Sequence, residues 1–291
     1  MRFNRGMTEV PFRLVDVFTE RPLAGNQLCV VPDPVELDED RMLAVAREIG
    51  FSETTFVTGR GEAEYDVRIF TPGGELPFAG HPTLGTAFTL VVEGLVASPV
   101  IQHARAGDFP VEIDLDRGFG WMRQLPPTFG EEVDAPGTVA EAVGLTPADL
   151  APDPAPQVVS TGLAHLVAPV AGVEALVRAS WRPRPLEDLL TGLGAEGIYL
   201  YAETAGGVKA RMFDPHPGIG EDPATGSAAG PLGAYLAARG LAGMPGTVVV
   251  RQGEEIDRPG ELHVEVLPDG ASWAVRVGGG VRIVGRGVLE V

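Results

Sequence analysis

Two glycine-rich stretches, AGHP at 79–82 and TGSA at 225–228, have the composition of helix starts that bind an anion. The first turn of a helix presents unpaired N–H groups and the positive end of the helix dipole, which attract carboxylates and phosphates. Glycine lets a ligand approach the backbone, and His81 and Ser227 each add a side-chain donor. Either stretch alone could be a capping turn packed against a sheet. The matched pair favours a shared ligand, so the sequence predicts a site for a small acid.

Two carboxylates could move protons at such a site. Asp222 in GIGEDPATG precedes a proline and therefore prefers extended backbone, so it either caps the next helix or faces the ligand. Glu53 in GFSETTFV follows a helix stop at Gly50. It is either a solvated loop residue or a carboxyl in a dry cleft, where desolvation raises its pKa and lets it exchange protons near neutral pH.

Several familiar catalytic and cofactor-binding patterns are absent from the sequence. GSAAG does not match the G-x-S-x-G elbow, so a hydrolase triad of Ser227, His81 and Asp222 is not supported. Proline stands where a dinucleotide fingerprint needs its third glycine, and there is no phosphate-binding G-x-x-x-x-G-K-[ST] loop. The histidines at 81, 103, 165, 216 and 263 form no H-x-H or H-x-x-x-H pair. The sequence therefore predicts neither a metal nor a cofactor.

The composition limits the partners and the compartment. A net charge of −18 argues against binding nucleic acid or an anionic membrane, because both require basic patches. Cys29 is the one cysteine, so no internal disulfide is possible, and its apolar surroundings predict a buried, inert thiol. The first residues lack the apolar core of a signal peptide, and no apolar stretch reaches the length of a membrane span. We therefore expect a cytoplasmic protein.

Strand patterns outnumber helical ones along the chain. Alternating or β-branched runs bounded by Gly, Pro and Asp predict strands at 12–18, 63–70, 111–116, 197–203, 246–253, 261–266, 272–277 and 281–291. Helical patterns cover 38–50, a segment opened by a capping-box pair at Thr138 and Glu141, and two segments near 81–94 and 227–240. Pro231 lies inside the last of these and should kink its first turns.

One long internal repeat organises these elements. VRIFTPGGELPFAGHPTLGTAF (67–88) and ARMFDPHPGIGEDPATGSAAGPL (210–232) share Arg-x-Phe-x-Pro, a turn and a glycine-rich helix start. Arg68 aligns with Arg211, and a single long period of this kind indicates duplication. We therefore predict two similar halves, 1–124 and 138–291, joined by a Pro/Gly/acid-rich linker at 125–137. The last strand can return to the first half, and the active site lies in the cleft between the halves.

Five blocks in order resemble the phenazine-biosynthesis isomerase family, the PhzF-like proteins. They are VDVFTERPLAGNQLCVV, GFSETTFV, IFTPGGELPFAGHPTLGTA, STGLAHLVAPV and GEDPATGSAAGPLGAYL, and the match runs from about residue 12 to the C-terminus. The resemblance implies an α+β, diaminopimelate epimerase-like fold with two pseudo-symmetric domains, each a curved mixed sheet around a central helix. It also implies a homodimer and a small anionic metabolite as substrate, with no cofactor, no nucleic acid and no membrane.

The resemblance also implies roles for individual residues. Glu53, in the Ser-Glu-Thr block with Ser52, would be the catalytic acid/base. The remaining matched positions would bind the substrate carboxylate or neighbouring polar groups, or line the cleft: Asn26, Gly80, His81, Asp222, Gly226 and Ser227. The well-understood member of the family moves a hydrogen within a cyclic dihydro-hydroxyanthranilate.

The thiols of the wider superfamily are missing here. Diaminopimelate epimerases and proline racemases generally use one cysteine at each helix start, and the equivalent positions are Ala79 and Thr225. Two-thiol racemisation is therefore impossible, whereas one glutamate can take a proton from one carbon and return it to another. We expect an isomerase of this kind. A non-catalytic metabolite-binding protein, or an epimerase with Glu53 and Asp222 as opposed bases, remain alternatives.

Overall fold

The computed structural model describes residues 8–34, 36–215 and 220–291, so His216 of the five histidines lies outside the described residues. Within these ranges, hydrogen bonds join 17 strands into one network. The strands are β1 (Glu9–Val17), β2 (Asn26–Val31), β3 (Glu53–Arg60), β4 (Glu64–Thr71), β5 (Gly74–Leu76), β6 (Val100–Ala104), β7 (Gly107–Asp114), β8 (Phe119–Arg123), β9 (Thr128–Glu132), β10 (Gln157–Ser160), β11 (Ala164–Pro169), β12 (Gly197–Thr204), β13 (Gly207–Asp214), β14 (Gly220–Asp222), β15 (Gly246–Gln252), β16 (Gly260–Asp269) and β17 (Ser272–Glu290).

Six helices within the same ranges complete an α+β fold. They are α1 (Glu39–Ile49), α2 (Gly80–Val92), α3 (Pro136–Ala142), α4 (Val173–Arg178), α5 (Pro183–Leu193) and α6 (Gly226–Arg239). No helix in the described part of the chain combines the length and the apolarity needed to cross a membrane.

The two halves of the chain repeat one pattern of strand pairing. In the first, β2 and β3 are parallel, β3–β4 and β4–β5 antiparallel, β4–β6 parallel, and β6–β7 and β7–β8 antiparallel. In the second, β11–β12, β12–β13, β13–β14, β13–β15, β15–β16 and β16–β17 follow the same sequence of directions. The duplication expected from the aligned motifs is therefore also present in the pairing of the strands.

The aligned arginines share two contacts, an ion pair and a ring contact, in the two halves. Arg68 forms a two-pronged ion pair with Glu75, at 2.9 and 2.7 Å, and Arg211 does so with Glu221, at 2.8 and 2.7 Å. Each guanidinium also lies over the phenylalanine two residues later, at 5.0 and 4.9 Å from the ring centre. The shared Arg-x-Phe motif thus fixes the strand before each helix start in the same way.

Helices α2 and α6 occupy the interiors of the two halves. Both are buried along almost their whole length, which agrees with their small and apolar composition on every face. The first contacts β1, β2, β3, β6, β7, β8 and β17, and the second contacts β10, β11, β15, β16 and β17. Each helix is therefore surrounded by strands, which hold its first residues in place.

The last strand links the halves. We predicted separate strands at 272–277 and 281–291, but β17 is continuous: it pairs with β16 and β8 and then, from Val281 onwards, with β1. The glycines at 278–280 look like a break in the sequence pattern. They are required by crowding instead, because a Cβ built on Gly279 would lie 2.6 Å from the Phe18 ring and one on Gly280 would lie 2.5 Å from the Thr19 carbonyl oxygen.

The structure differs from the sequence prediction at the start of α3, and it places elements within the predicted linker. The capping box at Thr138 and Glu141 is wrong, because α3 begins at Pro136 after the N-cap residue Ala135. Proline suits the first helical position, since its φ is already helical and its missing N–H is not needed there. Helix α6 runs through Pro231 as one element. The segment predicted as a linker, 125–137, contains β9, which pairs with β10, and the start of α3.

Candidate active site

A cavity of about 410 Å³ opens at the first residues of both buried helices. It is lined by Glu53, Thr71, Gly73, Gly74, Glu75, Leu76, Pro77, Ala79, Gly80, His81, Leu163, His165, Glu196, Met212, Asp214, Asp222, Thr225, Gly226 and Ser227. Six of the eight residues proposed from the sequence are in this wall. Asn26 and Ser52 are not, and they lie behind it.

The two helix starts form one surface. A Cβ built on Gly80 would lie 2.5 Å from the backbone nitrogen of Ser227 and 2.8 Å from the carbonyl carbon of Gly226. The sequence predicts that the two helix starts share a ligand, and in the structure their first turns are in direct contact. Neither helix has a side-chain cap, and the N-cap residues are Ala79 and Thr225. The first-turn amides therefore lie together, next to the cavity, as a single cradle for negative charge.

Glu53 is buried at the start of β3, so its interpretation as a solvated loop residue is wrong. The residue is 9% exposed, and β3 lies parallel to β2, which brings Glu53 beside α2. Among the described residues, Oε2 has no hydrogen-bond partner. Burial raises the pKa of Glu53 from 4.5 to about 7; a hydrogen bond from Ser52 opposes this shift, and the charge of Asp214 adds to it. The group can therefore give or take a proton near neutral pH.

Asn26 fixes the tautomer of His81. The Asn26 amide nitrogen lies 3.0 Å from His81 Nδ1, and since an amide nitrogen can only donate, Nδ1 must accept. Burial lowers the pKa of His81 to about 4, so the neutral ring carries its proton on Nε2. That nitrogen lies 3.2 Å from the Gln27 carbonyl oxygen and 3.4 Å from Glu53 Oε2, the second contact not being directed as a hydrogen bond. His81 is therefore a neutral ring beside the glutamate, and its one N–H is donated to the Gln27 carbonyl oxygen.

Asp222 is held on both carboxylate oxygens. Oδ1 accepts from the Asn26 amide at 2.9 Å, and Oδ2 accepts from the Thr225 hydroxyl. The side chain thus does not cap α6 through a backbone N–H, although its contact with the N-cap residue orders the turn. Burial, together with the charge of Glu53, raises the pKa of Asp222 to about 6. Unlike Glu53, this carboxyl has no free oxygen.

Some cavity residues were not singled out from the sequence. His165 on β11 contacts Ser227, and it lies in the STGLAHLVAPV block that carried the family resemblance, so a signal existed. Asp214 ends β13 at the repeat position of Thr71, and both line the cavity.

Within 8–34, 36–215 and 220–291, no group of three or more His, Cys, Asp or Glu side chains is arranged to hold a metal ion. Cys29 is buried, and burial raises its pKa to about 12, as expected for an inert thiol.

The chain is similar to known proteins over almost its whole length. The family model described as phenazine biosynthesis-like protein, PhzC–PhzF, matches residues 15–289. The trans-2,3-dihydro-3-hydroxyanthranilate isomerase of Pseudomonas aeruginosa is 32% identical over 277 residues, which cover 90% of this chain and 96% of that protein.

Solved structures show the same relationship. A PhzF-family phenazine biosynthesis protein of Bacillus anthracis superposes with a TM-score of 0.88 at 26% identity, covering 98% of this chain and 100% of the other. A protein described as a predicted epimerase of Pseudomonas aeruginosa gives 0.85 at 38% identity, with 96% and 99% covered. The chain therefore belongs to the phenazine biosynthesis-like PhzC–PhzF family, with the epimerase-like fold and an activity of the isomerase class.

Proposed function

We propose that this enzyme moves a proton between two carbons of a small carboxylic acid, with Glu53 as its one acid/base group and without a cofactor. The observation that supports this most is the state of the Glu53 carboxyl. It lines the cavity beside the joined helix starts, one of its oxygens has no partner among the described residues, and burial brings its pKa to about 7. A carboxyl in this environment is suited to proton exchange.

The steps follow from the positions of the groups. The Glu53 carboxylate removes a proton from an acidic C–H of the bound acid, and the electron pair of that bond delocalises towards the substrate carboxylate. The first-turn amides stabilise the negative charge that develops there. The Glu53 acid then returns the proton to a second carbon and is again a carboxylate. The shift is redox-neutral and conserves every atom, so it needs no co-reactant.

The environment of Asp222 favours one base over two. An epimerase with opposed bases needs a second carboxyl free to reach the far face of the substrate carbon. Both oxygens of Asp222 already accept hydrogen bonds, from Asn26 and Thr225. We therefore assign Asp222 to binding and to holding the α6 start, and Glu53 to proton transfer.

Solvent deuterium separates the candidate functions. The protein is incubated in D₂O with trans-2,3-dihydro-3-hydroxyanthranilate, the acid in the name of the Pseudomonas relative, and with other small carboxylic acids that carry an acidic C–H. We expect deuterium uptake and an isomerised product, followed by NMR and mass spectrometry. Glu53→Gln should still bind the acid but turn over about 10²–10⁴-fold more slowly.

The matched control is Glu64→Gln, which removes an exposed glutamate on β4 and should keep the wild-type rate. Full activity of Glu53→Gln would remove Glu53 from the mechanism. Tight binding of the acid by the wild type with neither exchange nor isomerised product would identify a metabolite-binding protein, and inversion at a single carbon would identify an epimerase.

A further inference from the structure

His165 is a buried cavity residue to which the proposed reaction assigns no role. It lies on β11, is 2% exposed, and its Nε2 lies 3.2 Å from the hydroxyl oxygen of Ser227. Ser227 is the second residue of α6 and belongs to the cradle formed by the two helix starts. The histidine therefore contacts the cradle through a side chain that itself faces the ligand.

The other ring nitrogen of His165 is unsatisfied. Nδ1 is buried and has no hydrogen-bond partner in the part of the chain that the structure describes. Burial lowers the pKa of His165 to about 4, so at neutral pH the ring carries one proton, on either nitrogen. A buried N–H without an acceptor is rarer in proteins than an acceptor without a donor. The surroundings therefore favour the proton on Nε2.

The two tautomers of His165 decide whether the Ser227 hydroxyl presents a hydrogen-bond donor or only acceptors to the cavity. With the proton on Nε2, the ring donates to the serine oxygen, and the hydroxyl hydrogen is free to point into the cavity. With the proton on Nδ1, the hydroxyl must donate to Nε2, and only oxygen lone pairs face the ligand. A carboxylate is attracted in the first case and repelled in the second.

We propose that His165 is a positioning residue that, as its Nε2–H tautomer, directs the Ser227 hydroxyl hydrogen onto the substrate carboxylate. The inference rests on the proposed function in one respect, the binding of an acid at the helix starts. It adds a hydroxyl donor to the backbone amides there, and it predicts a preference for carboxylates over neutral amides of the same shape.

Nuclear magnetic resonance can determine the tautomer of His165 in the protein without a ligand. The full-length protein is labelled with ¹⁵N-histidine, and the His165 signals are assigned by their loss in His165→Phe. At pH 7.5 we expect a protonated Nε2 and an unprotonated Nδ1. A protonated Nδ1 would overturn the proposal.

Binding of anthranilate, measured by calorimetry, tests the consequence. His165→Phe should weaken binding about tenfold, the loss of one hydrogen bond to a charged group, whereas His165→Gln, which retains an N–H donor, should recover most of that loss. In a Ser227→Ala background the His165→Phe substitution should have no further effect. His103→Phe, the same replacement at a partly exposed histidine on β6, is the matched control.

The outcomes separate the two proposals. Equal losses for His165→Phe with and without the Ser227 hydroxyl would show that the histidine is only structural and would overturn the positioning role. If anthranilate and its amide bind the wild type equally, the acid site of the proposed function fails. The tautomer of His165 is then still decided by the labelled spectrum.

Discussion

At the residue scale, four buried ionisable side chains line the cavity, and the pKa of each is shifted in the direction that favours its neutral form. Burial raises the pKa values of Glu53 and Asp222 to about 7 and about 6, and it lowers those of His81 and His165 to about 4. Desolvation favours the neutral form in every case. The histidines are therefore neutral hydrogen-bonding groups at pH 7, and Glu53 is the group that titrates there.

The rate should follow the ionisation of Glu53. Since the carboxylate is the base, kcat/KM should be constant above about pH 7 and should fall by up to about tenfold per pH unit below it. The measurement is a pH–rate profile on a turned-over acid at constant ionic strength. A profile that stays flat from pH 5.5 to 8 would contradict this assignment.

Glu53 should also reduce stability at high pH. Its folded-state pKa, about 7, exceeds the ordinary value of 4.5, so its contribution to stability is present below pH 4.5 and is lost as pH rises through 7. Glu53→Gln has no charge to bury. Its free energy of unfolding relative to the wild type should therefore rise by about 3 kcal/mol between pH 4.5 and 8, measured by urea denaturation.

At the element scale, the site depends on two helices that meet at their first turns. The approach is possible because residue 80 has no side chain, since any Cβ there would collide with the backbone of residues 226–227. Strands pack around both helices, so a movement of one helix to relieve the collision would also disturb its contacts with the surrounding strands. The distance between the first-turn amides is therefore set by glycine.

Gly80→Ala should separate the helix starts. We expect binding of small carboxylates to weaken at least about tenfold and the free energy of unfolding to fall by about 1–3 kcal/mol, because the new methyl group contacts backbone atoms. Calorimetry and thermal unfolding measure the two effects. Gly192→Ala is the control: it lies in α5 with nothing within 4 Å, and it should leave binding unchanged. A Gly80→Ala protein with wild-type affinity would contradict the shared cradle.

Several elements could be predicted from sequence, and the exceptions have physical reasons. The repeated motif identified the beginnings of α2 and α6, because glycine-rich turns and helical composition are local signals. Helix α5 was missed although Leu186, Leu189 and Leu190 form its buried face. Its first turn contains two prolines, which indicate a loop in sequence but are compatible with the first helical positions.

The contacts between residues of the site could not be predicted from the sequence. Glu53 could be named from its block, but its burial depends on β2 and on the wall of the cavity. Asn26 was expected to line the cleft, whereas it lies behind His81 and Asp222 and bonds to both, across 55 and 196 residues of sequence. Residues this far apart in the chain form no periodic sequence pattern from which their contact could be predicted.

At the scale of the whole molecule, β17 joins the two halves: its first part pairs with β16 and β8, and the part from Val281 onwards pairs with β1. Its glycines pack under residues 18–19, close to the start of β2. A homodimer and the division at 125–137 remain predictions from the sequence and its resemblance. The continuous strand suggests that the halves unfold together.

Gly280→Ala tests this coupling. The added methyl group would lie 2.5 Å from the Thr19 carbonyl oxygen, so we expect a loss of about 1–3 kcal/mol in the free energy of unfolding. Unfolding should remain a single transition for tryptophan fluorescence and for circular dichroism, because both halves share the strand. Two separated transitions in the wild type would contradict cooperative unfolding.

The central claim is that Glu53 carries one proton from carbon to carbon, and label transfer tests it most directly. A substrate deuterated at the carbon that loses hydrogen is converted in H₂O in a single turnover, and the product is analysed by mass spectrometry and NMR. We predict that a measurable fraction of the product carries deuterium at the second carbon and that Glu53→Gln forms no labelled product. Complete loss of the label to solvent, or product formation by Glu53→Gln at the wild-type rate, would contradict the account.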